Sequence, residues 1–126
     1  MTDSILNSIK KLLGLDAEYD VFDTDIIIHI NTILSTLVQI GVGSYEHSTV
    51  TGPDETWADF LGADTRNVEL VKLYVYMRVR LIFDPPSSSA VIEAYNKAIA
   101  EFEWRANVAV ETPVLEGTSP FEDETP

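Results

Sequence analysis

Apolar residues recur at helical spacing in four stretches of the chain, separated by glycine, proline and polar clusters. The first helix starts after Thr2 or Asp3, either able to cap it, and stops at Gly14, with Ile5, Ile9, Leu12 and Leu13 as its stripe. The second opens at Asp23-Thr24-Asp25, acidic residues suited to the positive end of a helix dipole, and closes at Gly41-Val42-Gly43. One of its arcs gathers Ile26, Ile27, Ile30, Ile33, Leu34, Leu37, Val38 and Ile40. The opposite arc holds Asp25, His29, Asn31, Thr32, Ser35, Thr36 and Gln39, with Ile28 intruding. Past Asp25 this arc carries no formal charge unless His29 is protonated, whereas a solvated face usually carries Lys and Glu, so it predicts contact with another protein surface.

The third helix runs from near Asp64-Thr65 to Asp84-Pro85-Pro86, where proline cannot continue the ladder. Between Val68 and Phe83 every residue except Glu69, Lys72, Arg78 and Arg80 is apolar or aromatic. A helix apolar on all sides must be covered on all sides, which in so small a domain predicts a second subunit. Arg78 lies amid that apolar surface and needs a carboxylate, water or a neighbouring chain. The fourth helix, capped by a serine among Ser87 to Ser89, runs to about Val110. Its core face is Val91, Ile92, Tyr95, Ala98, Ile99, Phe102 and Ala106. Its outer face pairs Glu93 with Lys97 and Glu101 with Arg105. Trp104 stands on that polar face, either as an interface anchor or packed under the loop at Trp57.

Residues 43–64 read as a long loop, or a short hairpin turning at Gly52-Pro53, in which Trp57, Phe60 and Leu61 form an apolar tip or an anchor to the core. The fold class is therefore all-α: three main helices, a short N-terminal helix, and a long loop or hairpin between the second and third helices. Residues 1–110 make the helical domain. Residues 111–126, acidic and rich in proline, serine and threonine, form an extended or disordered tail. Its gripping points are Val114, Leu115 and Phe121.

Composition narrows the function. The chain has 126 residues, enough for one modest core, and no cysteine, so disulfides and thiolate chemistry are excluded. No basic run leads into an apolar signal core, and polar residues interrupt the most apolar stretch, 26–42, so no membrane contact is expected. The net charge of −13 opposes duplex DNA binding through phosphate neutralisation. Asp16, Glu18, Asp20 and Asp23 echo a calcium loop, but Val21 replaces its glycine and Ile27 its bidentate glutamate. His29 and His47 have no partner at metal-binding spacing, and no phosphate loop or nucleophile elbow is present. The expectation is a protein with no catalytic residues, no metal and no cofactor.

Several motifs resemble one family. They are Ser4-Ile-Leu-Asn-Ser-Ile-Lys-Lys-Leu-Leu-Gly14, the acidic turn before Asp25-Ile-Ile-Ile-His-Ile-Asn31, and Thr56-Trp-Ala-Asp-Phe60. The run Val75-Tyr-Met-Arg-Val-Arg-Leu-Ile-Phe-Asp-Pro-Pro-Ser-Ser-Ser89 is the most specific, followed by Ile99-Ala-Glu-Phe-Glu-Trp-Arg105. Over residues 3–110 the chain resembles the head–tail connector (adaptor, or head-completion) proteins of tailed bacteriophages. The resemblance implies a virion protein, assembled in the host cytoplasm, that forms a closed ring of about a dozen copies. Its partners would be further copies of itself, the portal protein above and a tail-completion or stopper protein below, with DNA passing through unbound. By that analogy Ser48–Leu61 and the tail from Glu111 are docking elements. The interface candidates are Trp57, Phe60, Leu61, Arg78, Trp104, Val114, Leu115 and Phe121. The competing class is an acidic module that mimics DNA and blocks a nucleic-acid-binding protein. It requires carboxylates along one exposed face, whereas here they cluster in loops and tail.

Overall fold

The computed structural model describes residues 4–62 and 67–115, with side chains as far as Asn107. The chain is all-α, with no strand among the described residues. Its helices are α1 (Ile5–Leu12), α2 (Asp23–Gln39), α3 (Trp57–Leu61), α4 (Val68–Phe83) and α5 (Ser89–Leu115), with a 3-10 turn at Tyr45–His47.

Helix α1 is capped by Ser4, whose hydroxyl accepts from the Asn7 amide at 3.1 Å. The candidate caps Thr2 and Asp3 lie outside the described residues. The apolar spacing predicts Ile5, Ile9, Leu12 and Leu13 as the buried stripe. In the structure Ile5, Leu6, Ile9 and Lys10 are buried instead, while Leu12 is 47% exposed. The stripe is rotated because Lys10 turns inward. Its four-carbon stem packs like an apolar side chain, and its ammonium finds polar partners beneath the next loop.

Helix α2 needs no side-chain cap; Asp23 and Asp25 occupy its first turn, where the dipole favours acidic groups. Ile26, Ile30, Ile33, Leu34 and Leu37 point into the core, as their spacing predicts. Gly41 and Gly43 end the helix with positive φ. At Gly43 the requirement is doubled, since an added Cβ would sit 2.2 Å from the Phe60 ring.

The excursion from Gly43 to Thr56 forms no hairpin. The Val50 backbone, where a strand ladder would start, is satisfied instead by the Asn31 side chain. Glu55 closes the following turn by accepting from the Thr51 hydroxyl at 2.6 Å and the Gly52 amide at 3.3 Å. Thr56 then starts α3 with a capping box: its hydroxyl accepts from Asp59 N at 3.1 Å, and its own amide donates to Asp59 Oδ2 at 3.4 Å. That box explains why Thr56-Trp-Ala-Asp59 reads as a motif. An isolated bridge between Ser4 and Thr56, with Ile5 N donating to Glu55 O at 2.9 Å, ties the starts of α1 and α3 together.

Helix α4 runs through the middle, packed by α1, α2 and α5, with Val71, Tyr74, Val75, Met77 and Val79 buried. It stops at Phe83, before Asp84-Pro85-Pro86. Helix α5 starts at Ser89 with the Ser88 hydroxyl accepting from Val91 N at 3.4 Å, so the cap is one of the three serines expected. It extends to Leu115 rather than ending near Val110. Pro113 falls in its last turn, where it removes a single ladder hydrogen bond.

Candidate functional site

Among the described residues no group of three His, Cys, Asp or Glu side chains is placed to hold a metal ion. The candidate features lie on the surface and along the helix seams, beginning with where the charges go.

Lys10 has no solvent exposure. Its Nζ donates to the Ala17 carbonyl at 2.9 Å and lies 2.8 Å from Asp23 Oδ1, an ion-pair contact rather than an aligned hydrogen bond. The ammonium thus holds both ends of the α1–α2 loop. That loop, residues 16–22, is exposed throughout and alternates acids (Asp16, Glu18, Asp20) with apolar or aromatic groups (Tyr19, Val21, Phe22). Tyr19 packs edge-on against Phe22, with ring centroids 6.0 Å apart, and Phe22 against Phe83 at 5.2 Å. The loop is a knob whose Phe22 rests on Phe83 at the C-terminal end of α4.

Arg78, an interface candidate from sequence, has polar partners within the chain. Its Nη1 donates to the Tyr74 hydroxyl at 2.9 Å and lies 3.6 Å from Glu103 Oε2. Tyr74 in turn donates to Glu103 at 2.7 Å, and its ring stacks on Phe102 at 4.5 Å. Burial, reinforced by the bond to Glu103 and opposed by Arg78, pushes the Tyr74 phenol up to about 12. On the other flank of α4, Arg80 donates to Tyr76 at 3.0 Å and to Tyr95 at 3.2 Å. The phenol of Tyr95 is raised, first by its hydrogen bond with Tyr76 and next by burial. Two polar clusters therefore bracket the α4–α5 seam.

The seam also corrects the expected core face of α5. Val91 is exposed, and Ile92, Tyr95, Ala98, Ile99, Phe102 and Ala106 are half-buried, none fully enclosed. Arg105 pairs with Glu101 at 2.8 Å, but the expected Glu93–Lys97 pair is absent among the described residues.

The interface candidates separate clearly. Trp57 and Phe60 are core residues; the Trp57 indole donates to Ser8 Oγ at 2.7 Å, so the observed role is that of an anchor, not a tip. Leu61 is half-buried and lines an open cleft of about 500 Å³ with Val42, Leu70, Phe102 and Arg105. Trp104 is 65% exposed and does not pack beneath Trp57. Val114 and Leu115 belong to α5, with side chains beyond those described, and Phe121 lies outside the described residues. The apolar circumference of α4 is only partly covered, since Leu70, Leu73 and Ile82 remain exposed. Sequence reasoning passed over Lys10 and the Tyr19–Phe22 knob. The one available signal was Lys10 falling on the same face as Leu6.

Several large apolar side chains, among them Ile28, Leu70, Leu73, Ile82 and Trp104, are exposed on this helical chain, a kind of surface that serves protein contacts. The model of the phage connector protein family matches residues 5–113, and the chain belongs to that family. Membership makes it a structural component of the virion. No curated protein and no solved structure matches the chain. No helix among the described residues is long and apolar enough to cross a membrane.

Proposed function

We propose that the chain forms a closed ring beneath the portal, joins the phage head to the tail and extends the DNA channel. The observation that carries this reading is the family match over residues 5–113, and the exposed apolar residues on α4, α5 and the α1–α2 loop support it. A ring requires two different faces on each subunit, and these residues lie on more than one side of the molecule. The subunits assemble in the host cytoplasm around the portal protein, and the finished ring receives a tail-completion or stopper protein. The acidic surface suits a channel wall, because carboxylates repel phosphates and let DNA slide where a cationic wall would hold it.

Sedimentation and native mass spectrometry, on the chain alone and with the portal protein of the same phage, test this reading. A ring on the portal is the expected result. A stable monomer that the portal ignores overturns it.

A further inference from the structure

Exposed apolar surface gathers at one end of the molecule, where α1 ends, α2 begins and α4 stops. Leu12 ends α1, Tyr19, Val21 and Phe22 lie in the following loop, and Ile82 adjoins Phe83, on which the Phe22 ring packs. Val21 and Ile82 are the most open of these, 65% and 56% exposed. Apolar surface collected in this way marks a contact with another molecule.

The charges around this patch say what kind of molecule fits it. Asp16, Glu18, Asp20 and Asp25 are exposed and make no ion pair among the described residues. Lys10 does not offset them, because it is enclosed and already paired with Asp23. Arg80 lies one turn before Asp84, but Tyr76, Tyr95 and the Asp84 carbonyl engage it. Lys11 is the only exposed cation described at this end, against those four carboxylates. The patch is therefore apolar and net negative together.

A second copy of this chain does not supply the complement. The other exposed cations among the described residues are Lys97 and Arg105, and they share the outer face of α5 with the exposed Glu93 and Glu101, which balance them. Duplex DNA is excluded too, since carboxylates repel its phosphates. We infer that this end of the subunit docks a different protein, through a segment in which apolar side chains are interleaved with Lys or Arg. The apolar groups of that segment cover Val21, Ile82 and the open edge of Phe22, and its cations meet Asp16, Glu18, Asp20 and Asp25. For its place in the virion this inference rests on the connector reading; for the chemistry of the partner it rests on the patch alone.

The probe is a short synthetic amphipathic helix of Leu and Lys, with a counterpart that carries Glu for every Lys. Titrated into the isotope-labelled full chain, the Lys peptide should shift amide resonances within residues 12–25 and 82–84, and the Glu peptide should shift none. Asp16→Asn, Glu18→Gln and Asp20→Asn together should weaken the Lys peptide by about tenfold, and so should Val21→Ser with Ile82→Ser. Glu46→Gln with Asp54→Asn, acids outside the patch, should change nothing. All three variants should melt with the wild type, because every substituted side chain is exposed. Toward the portal and tail-completion proteins, the first two variants should lose a contact that the third keeps. Shifts scattered over the acidic surface, equal affinities of the three variants, or patch variants that keep both protein contacts overturn the inference while the connector reading stands. Wild-type chain that forms no ring on portal, with the Lys peptide still mapped to the patch, overturns the connector reading and leaves the partner's chemistry in place.

Discussion

The Asn31 carboxamide satisfies both polar groups of the Val50 backbone: Oδ1 accepts from Val50 N at 2.6 Å, and Nδ2 donates to Val50 O at 3.0 Å. Val50 is buried, so water cannot replace these bonds. Asn31→Leu should cost about 2–3 kcal/mol, read from the urea unfolding midpoint, because it orphans two buried backbone groups. Asn31→Asp keeps the acceptor and loses the donor, and should fall between the two.

Lys10 invites a comparison of two truncations. Lys10→Ala removes both the stem packing and the charge, and should destabilise by about 3 kcal/mol or more. Lys10→Met restores the stem, and the half-exposed Asp23 can turn to water, so much of the loss should be recovered. Equal losses in denaturant titrations would mean that the ammonium, not the stem, holds the α1–α2 loop.

Tyr74 predicts an alkaline window. Its pKa in the fold is about 12, above the ordinary 10.0, so the fold favours the neutral phenol. The stability this contributes is complete below about pH 10 and declines as pH rises toward 12. Urea midpoints of the wild type should fall through that window. Those of Tyr74→Phe should fall less.

Arg78→Leu strips the cation from the Tyr74–Glu103 cluster and should cost about 1–2 kcal/mol. Lys72→Leu keeps most of the stem's packing and gives up a 3.6 Å contact with the exposed Glu69, so it should cost less than Arg78→Leu. Similar, small shifts in both thermal melts would remove Arg78 from any account of the α4–α5 seam.

Gly14 and Gly43 both have positive φ, +86 and +87, but only Gly43 has the Phe60 ring against it. Gly14→Ala should cost about 1 kcal/mol for the backbone alone. Gly43→Ala should cost clearly more, since Phe60 must also move. The difference between the two calorimetric melts reports the ring contact.

The helices were legible because apolar period and terminators agree: Ile26 to Leu37 forms a clear stripe, and Pro85-Pro86 leaves α4 no way forward. The rotation of α1 was not, because a lysine reads as polar whether its ammonium is in water or beneath a loop. The uncharged arc of α2 was expected to meet another protein surface, whereas its Asn31 meets the chain's own loop at Val50. The surplus apolar surface of α4 was legible in kind and overstated in amount, since Tyr74 and Met77 are covered by the same chain. Trp57 and Trp104 look alike in the sequence. Only the packing separates an indole bonded to Ser8 from one left in solvent.

The α4–α5 seam has a mechanical consequence. From Ser89 to Asn107 no side chain of α5 is fully enclosed: Ile99 and Phe102 pack on the core, and hydroxyl, guanidinium and carboxylate bonds that water can replace supply the rest of its attachment. The rest of the fold is locked by enclosed aliphatic and aromatic groups. Detaching α5 therefore requires less free energy than unfolding the block of α1, α2 and α4. Amide hydrogen exchange should therefore be faster along α5, a helix about 40 Å long, than in the enclosed turns of α1, α2 and α4.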